Sequence, residues 1–229
     1  MKTFDPQRLA RSERYKLLIG AVTPRPIALV STRSTSGASN VAPYSFFTAV
    51  GSDPMSLLFC PASLDEGDKD TLRNCLPESE GGTGEFVVNL AVEKYARAVA
   101  ASAEPLPYGQ SEFAACGFTE GASKVVQAPR VAESPISFEC RTQQVLRLNP
   151  GAPRGPNVVV GEVVCVWVDE NAVNERFHVD PDLLSTIGRM GGLSYCRTRE
   201  RFNMKPELAT VDSAPAFPED CGPQKGTMR

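Results

Sequence analysis

The chain has 229 residues, of which 24 are Lys or Arg and 27 are Asp or Glu, so its formal net charge at pH 7 is -3. No segment concentrates the basic residues, which excludes the charge pattern of a nucleic-acid binder and argues against an anionic membrane surface as partner. The longest apolar runs are too short to span a bilayer, and a chain of this length can bury one full core.

The first third of the chain predicts three strands and a short helix. Residues 27–32 (IALVST) are rich in β-branched residues, and the turn-forming segment 34–39 that follows them indicates a hairpin. Residues 56–60 read as a third strand bounded by Asp53-Pro54 and Pro61. Acidic residues and a threonine in segment 68–76 predict a short helix with a capped N-terminus.

The rest of the chain adds strands and one further helix. Segments 86–90, 136–148 and 157–168 are strand candidates, with a connecting loop at 149–156, and the apolar spacing of 92–103 is helical. At least five strands with one or two helices predict a mainly antiparallel barrel, because parallel strands need a crossover at nearly every connection. We expect one domain over residues 1–202 and a proline-rich C-terminal tail over 203–229.

Two segments combine groups suited to a phosphorylated, planar ligand. Lys69 and Thr71 place an ammonium group and a hydroxyl at the predicted helix start, where unpaired backbone N–H groups attract a phosphate. Asn40 and Ser45 alternate with aromatic residues, so hydrogen-bonding groups and ring faces lie together. A solvated helix cap and a strand turning at Pro43 are the structural alternatives.

Three further residues are weaker candidates on pattern alone. Arg25 lies between two prolines that fix the local backbone, which lowers the entropy cost of presenting its guanidinium to an anion. Arg189 and Tyr195 flank a flexible Gly-Gly segment near the end of the domain. Ordinary turns are the alternative interpretation for all three.

The sequence contains no pattern for side-chain catalysis or for metal binding. His178 is the only histidine, and no serine or cysteine motif accompanies it. The seven cysteines are an odd number and include no Cys-x-x-Cys pair, which disfavours disulfides and zinc and predicts a cytoplasmic location. We therefore name no catalytic side chain and no metal ligand.

Seven segments taken in order resemble the flavin reductase-like family, whose members have an FMN-binding split barrel. They are RPIALVST from Arg25, NVAPYSFF from Asn40, Asp53-Pro54, KDTLRN from Lys69, FVVNLA from Phe86, VVGEVV from Val159 and GRMGGLSY from Gly188. The resemblance covers roughly residues 15–200. It implies a Greek-key split β-barrel with a few short helices, which forms a homodimer and binds FMN near the subunit interface.

The resemblance also implies roles for ten residues. Asn40, Ala42 and Ser45 would approach the isoalloxazine ring and ribityl chain, partly through backbone groups. Lys69 and Thr71, with Arg25, would hold the phosphate. The remaining four would lie near the flavin, at a strand end or beside the partner subunit: Ser31, Thr32, Arg189 and Tyr195.

The implied activity is that of an NAD(P)H-dependent flavin reductase, which passes a hydride from nicotinamide to flavin. A flavin-dependent monooxygenase or another redox protein would then be the partner. Many family members carry a histidine shortly before the Gly-Glu-Val strand, whereas this chain reads RGPN at 154–157. An FMN electron carrier, or an oxidoreductase acting on its own small organic substrate, is therefore an alternative, and a barrel without flavin is a third.

Overall fold

The computed structural model describes residues 1–107 and 110–202. Its strands are β1 (Arg25–Pro26), β2 (Ala28–Arg33), β3 (Ser39–Tyr44), β4 (Phe47–Ser52), β5 (Met55–Phe59), β6 (Glu85–Leu90), β7 (Glu120–Gly121), β8 (Arg130–Val131), β9 (Ile136–Arg147), β10 (Asn157–Val168), β11 (Ile187–Arg189) and β12 (Tyr195–Arg197). Its α-helices are α1 (Arg11–Ala21), α2 (Asp70–Cys75), α3 (Ala96–Ala101), α4 (Glu112–Cys116) and α5 (Pro181–Leu184). None of these helices has the length and apolar character needed to cross a membrane.

Seven strands form one sheet in the order β3-β2-β6-β9-β10-β5-β4. Every neighbouring pair in this sheet is antiparallel. The end strands β3 and β4 are consecutive in the chain and are joined through Ser45 and Phe46. The two ends of the sheet are thus linked by the chain and not by a hydrogen-bonded ladder, and the predicted Greek-key split β-barrel is confirmed.

The barrel interior is apolar because alternate residues of each strand point inward. The ring of Phe59 lies between those of Tyr44 and Phe86, with centroid distances of 5.0 and 5.3 Å. Helix α2 packs Leu72 and Cys75 into the same core. Each large apolar side chain buried in this way contributes about 1.5–3 kcal/mol.

The outer face of β2 and β3 is covered by a second apolar cluster. Leu29 and Val41 point away from the barrel interior and pack with Val99 of α3 and Phe113 of α4. These two helices therefore lie beside β3, the end strand of the sheet. A separate three-stranded sheet, β1-β11-β12, sets Arg25 opposite Arg189.

Most of the predicted elements are confirmed, with small changes in their bounds. The hairpin formed by β2 and β3 matches the prediction for 27–39, and β5, β6, β9 and β10 match the other strand segments. The loop between β9 and β10 is also as predicted. The elements that were not predicted are helices α1, α4 and α5, strand β4 and the short strands β1, β7, β8, β11 and β12. The tail over 203–229 lies outside the described residues.

Two helix predictions need correction. Helix α2 forms where expected, but its N-cap is Lys69, which makes no side-chain capping bond. The threonine expected to assist the cap, Thr71, lies inside the helix, where its hydroxyl donates to Asn40. The helix predicted for 92–103 is a 3-10 turn, Glu93–Tyr95, followed by the six-residue α3. The helical spacing of its apolar residues therefore predicted a longer helix than the one that forms.

We predict that Gly161→Ala destabilises the barrel by about 1–3 kcal/mol, because the interior has no space for a methyl group there. A Cβ at Gly161 of β10 would lie 2.3 Å from Cζ of Phe86 and 3.3 Å from Cβ of Cys140. Urea unfolding measures the change. Gly20→Ala, where a Cβ meets nothing within 4 Å, is the matched control, and equal stability of the two variants would contradict the packing argument.

Candidate functional site

A cavity of about 160 Å³ lies beside β3, between the start of α2, the segment after α3 and the start of α4. Four of the ten predicted site residues line it: Asn40, Ala42, Lys69 and Thr71. Further walls come from Tyr44, Asp70, Ser102, Leu106 and Glu112. The structure therefore brings together the two segments that the sequence analysis singled out for a phosphorylated ligand.

A buried hydrogen-bond network forms around the side chain of Asn40. Its Oδ1 accepts from Thr71 Oγ1 at 2.8 Å and from Thr32 Oγ1 at 3.2 Å, and its Nδ2 donates to Glu112 Oε2 at 3.0 Å. Asn74 Nδ2 donates to the Thr32 hydroxyl at 2.9 Å. The carboxamide is thus used within the protein, and Thr71 donates its hydroxyl hydrogen to Asn40.

Glu112 also covers part of the outer edge of β3. Val41 N donates to Glu112 Oε2 at 3.2 Å, so this backbone N–H points away from β2. Pro43, two residues further along, has no N–H to donate. Between them Ala42 offers only a methyl group, which leaves room for a ligand to lie close to the backbone.

The titratable groups of the cavity are of both signs. Lys69 is exposed at its mouth and Glu104 at its rim, whereas the carboxyl groups of Asp70 and Glu112 are partly or largely buried. Burial raises the pKa of Glu112, against the opposing effect of its hydrogen bonds, and burial also raises the pKa of Asp70. The lysine is therefore the charged donor best placed to meet an anion at the mouth of this cavity.

Tyr44 adds a buried hydroxyl to the cavity wall. Its oxygen makes no hydrogen bond of good geometry within the described residues, although Thr71 lies next to it. Burial raises its pKa, so the hydroxyl remains protonated at neutral pH and is a potential donor. Tyr44 lies on the same face of β3 as Asn40 and Ala42, because alternate residues of a strand share a face. It is nevertheless not among the ten predicted site residues.

Arg25 ties three segments together instead of pointing into the cavity. Its NH1 donates to the carbonyls of Ile19 and Val22 at 2.7 and 2.6 Å, at the end of α1. Its Nε donates to Ser45 Oγ at 3.2 Å and its NH2 to the Met190 carbonyl at 3.0 Å. The structure thus gives Arg25 a structural role, and its contribution to a phosphate site stays a prediction.

Arg25, Ser45, Arg189 and Tyr195 form a second group of predicted residues. Arg25 bonds to Ser45 and lies opposite Arg189 in the small sheet. The Arg189 guanidinium stacks over the Tyr195 ring at 4.5 Å from the centroid. Ala42 and Ser45 are three residues apart, which corresponds to roughly 10 Å in extended backbone. The cavity and this second group therefore lie near each other along one stretch of chain.

The last two predicted residues, Ser31 and Thr32, do not line the cavity, and their place near the flavin stays a prediction. Ser31 is fully buried, where its hydroxyl donates to the Pro129 carbonyl and accepts from Asn89 Nδ2. Thr32 is also buried, and its hydroxyl donates to Asn40, which lines the cavity. Glu112, by contrast, lines the cavity but stands in no motif, so local sequence offered no signal for it.

The arrangement defines a class of protein: a split β-barrel with a cavity at the open edge of its sheet, lined by both apolar and polar residues, with one lysine at its mouth. A cluster of residues able to hold a metal ion is not found in the described ranges. Residues 20–199 match the family model described as flavin reductase like domain. The chain belongs to the flavin reductase-like family.

Solved structures of similar proteins agree with this assignment. The nitrilotriacetate monooxygenase component B of Bacillus cereus is 30% identical, with a TM-score of 0.83 over 89% of this chain and 98% of that one. The 2-nitrobenzoate 2-nitroreductase NbaA of Pseudomonas fluorescens is also 30% identical, with a TM-score of 0.79 over 96% and 100%. A split-barrel protein of Shewanella frigidimarina, 20% identical, shares the fold with a TM-score of 0.75 over 90% and 99%.

We predict that Glu112→Gln stabilises the protein relative to the wild type at pH 7, and that this advantage shrinks as the pH falls towards about 4. Because the pKa of Glu112 is raised in the folded state, its ionisation costs stability, and protonation restores that stability. Urea midpoints at several pH values measure the difference. Glu104→Gln, on the exposed rim, is the control for general charge effects, and an advantage that grows on acidification would contradict this prediction.

Proposed function

We propose that this protein is an FMN-dependent NAD(P)H:flavin oxidoreductase. The observation that carries the proposal is the cavity that joins Asn40, Ala42, Lys69 and Thr71, four residues for which the family resemblance implies FMN contacts. In this proposal the phosphate lies by Lys69, and the isoalloxazine ring lies along the chain towards Ser45.

The size of the cavity supports an extended placement of the cofactor. Its volume of about 160 Å³ is below the roughly 300–1,000 Å³ that is typical of small-molecule sites. It would therefore enclose one end of FMN, and the other end would lie outside it. The end with the phosphate fits the cavity best, because Lys69 supplies a positive charge at its mouth.

A second copy of the chain would cover the exposed part of the cofactor. Val22, Phe46 and Val50 are apolar and are 57%, 38% and 55% exposed, and β4 is an end strand of the main sheet. Val22 and Phe46 both lie against Arg25, next to Ser45. A homodimer that buries these side chains would remove an unpaired strand edge and shield the ring from water.

The residues of this chain would bind and orient, without a side-chain acid or nucleophile. Bound FMN would supply the acceptor for the hydride of NAD(P)H. Lys69 would hold the phosphate, and Ala42 would allow the ring edge and ribityl chain to approach the backbone. Arg25 would hold Ser45 in place through its hydroxyl. Such fixed positioning is the main contribution that a protein makes to a transfer between two stacked rings.

The physiological acceptor forms part of the proposal. The B. cereus relative is named as component B of a monooxygenase, which supports reduced-flavin supply to a flavin-dependent monooxygenase or another redox partner. A cytoplasmic location is proposed with it, from the odd number of cysteines.

The similarity to NbaA favours a second candidate, in which the reduced cofactor acts directly on a small nitroaromatic substrate.

The first test is the visible spectrum of the FMN-saturated protein before and after anaerobic addition of NADH or NADPH. Rapid loss of the oxidised flavin band is expected, and 2-nitrobenzoate added afterwards separates the two candidates. If the bound flavin stays oxidised at millimolar nucleotide, the reductase proposal is wrong and an electron carrier takes its place. If the protein binds no flavin, the cofactor assignment is also wrong.

We predict that Lys69→Met weakens FMN binding at least tenfold and leaves riboflavin binding within about twofold, because only FMN carries the phosphate. Fluorescence titration with both flavins measures the ratio. Lys94→Met, which removes a lysine from a different cavity, is the matched control and should leave both affinities unchanged. Equal losses for FMN and riboflavin in Lys69→Met would contradict the placement of the phosphate.

We predict that Val50→Lys converts the homodimer into monomer, because a lysine in an apolar interface requires an ammonium group to be desolvated. Light scattering after size-exclusion chromatography measures the mass. Val125→Lys, at an exposed apolar position of a loop remote from β4 in sequence, should leave the mass unchanged. A wild-type chain that is monomeric at micromolar concentration would rule out the dimer.

A further inference from the structure

The segment from Pro61 to Lys69 connects β5 to α2 and ends at the lysine of the cavity. It lies against the hairpin of β9 and β10, where Ser63 N donates to the Gly155 carbonyl at 3.0 Å. In the opposite direction, Arg154 N donates to the Leu64 carbonyl at 2.8 Å. The hairpin therefore supports this segment along its middle.

The C-terminal end of the segment is held by a two-point ion pair. Arg147, the last residue of β9, donates from NH1 to Asp68 Oδ1 at 3.0 Å and from NH2 to Oδ2 at 2.6 Å. Ser63 Oγ donates to Asp68 Oδ1 at 3.1 Å and closes the segment on itself. This geometry fixes both the position and the rotation of the carboxylate, and it lowers the pKa of Asp68.

The N-terminal end is held by the residue opposite Arg147. Asn157 pairs with Arg147 in the register of β9 and β10 and is buried. Its Nδ2 donates to the Pro61 carbonyl and to Ser63 Oγ, each at 3.1 Å. One cross-strand pair therefore holds both ends of the segment, through Asp68 on one side and Pro61 on the other.

Lys69 is the last residue of this supported segment. It is the N-cap of α2 and follows Asp68 directly, and no capping side chain fixes the start of this helix. We infer that Arg147 and Asn157 are positioning residues that hold Lys69 at the mouth of the cavity for the ligand phosphate. The inference rests on the proposed function, because it assigns these residues to the phosphate end of the same site.

The test compares two arginines of the same hairpin, each paired with an aspartate of the segment. Arg147→Met removes the two-point pair, and Arg154→Met removes the single contact to Asp65 at 2.8 Å, which is exposed. Arg147→Met is expected to lower the affinity for FMN relative to riboflavin about tenfold, and Arg154→Met to leave this ratio within twofold. A general loss of fold would reduce both affinities and would not change their ratio.

Two further measurements separate positioning from charge. Asp68→Asn should reproduce the change in ratio, and the double variant with Arg147→Met should show no additional loss, because both substitutions break the same pair. In the protein without ligand, amide hydrogen exchange over residues 62–70 should be faster in Arg147→Met than in Arg154→Met.

The outcomes distinguish this inference from the proposed function. If the wild type binds FMN more tightly than riboflavin and Arg147→Met keeps that ratio, the inference is wrong and the proposed function stands. Unchanged hydrogen exchange over 62–70 in Arg147→Met also overturns it. If the wild type binds neither flavin, the proposed function fails and the positioning role fails with it.

Discussion

The main sheet of this barrel has two ends that do not pair with each other, and the site depends on how the polar groups at the β3 end are satisfied. A strand edge leaves backbone N–H and C=O groups that need partners or water. Here Glu112 accepts from Val41 N, and the same oxygen accepts from the Asn40 side chain. The cavity beside β3 is therefore a consequence of an edge that no further strand covers.

The predicted residues around this edge are of two kinds: those whose side chains hydrogen-bond within the protein, and one that is exposed to solvent. The side chains of Asn40 and Thr32 hydrogen-bond to each other, and they also bond to Glu112 and Asn74, respectively. These bonds fix the wall of the cavity. The Lys69 side chain makes no such hydrogen bond to any residue that the structure describes, and it is exposed at the mouth of the cavity. A fully satisfied polar network rigidifies its surroundings, and in the proposed function this rigidity would allow one lysine to define where the phosphate lies.

The sequence predicted six of the seven strands of the main sheet, because alternation and proline boundaries are local signals. It also located the two segments of the cavity, since each carries its polar groups within a few residues of one another. It did not reveal Glu112, whose contact with Val41 joins residues far apart in the chain. Nor did it show that the carbonyls of Ile19 and Val22 would engage Arg25, because α1 itself was not predicted.

The departure from the family pattern at 154–157 has a structural explanation in this chain. Arg154 pairs with Asp65, and Asn157 is buried against Pro61 and Ser63, so both residues face the segment that leads to Lys69. Asn157 thus supports the segment that leads to the proposed phosphate site, whereas Arg154 makes an exposed contact to the middle of that segment. Under the proposed function, with no histidine at 154–157 to meet a nicotinamide, hydride transfer would depend on how well the nicotinamide stacks on the flavin ring.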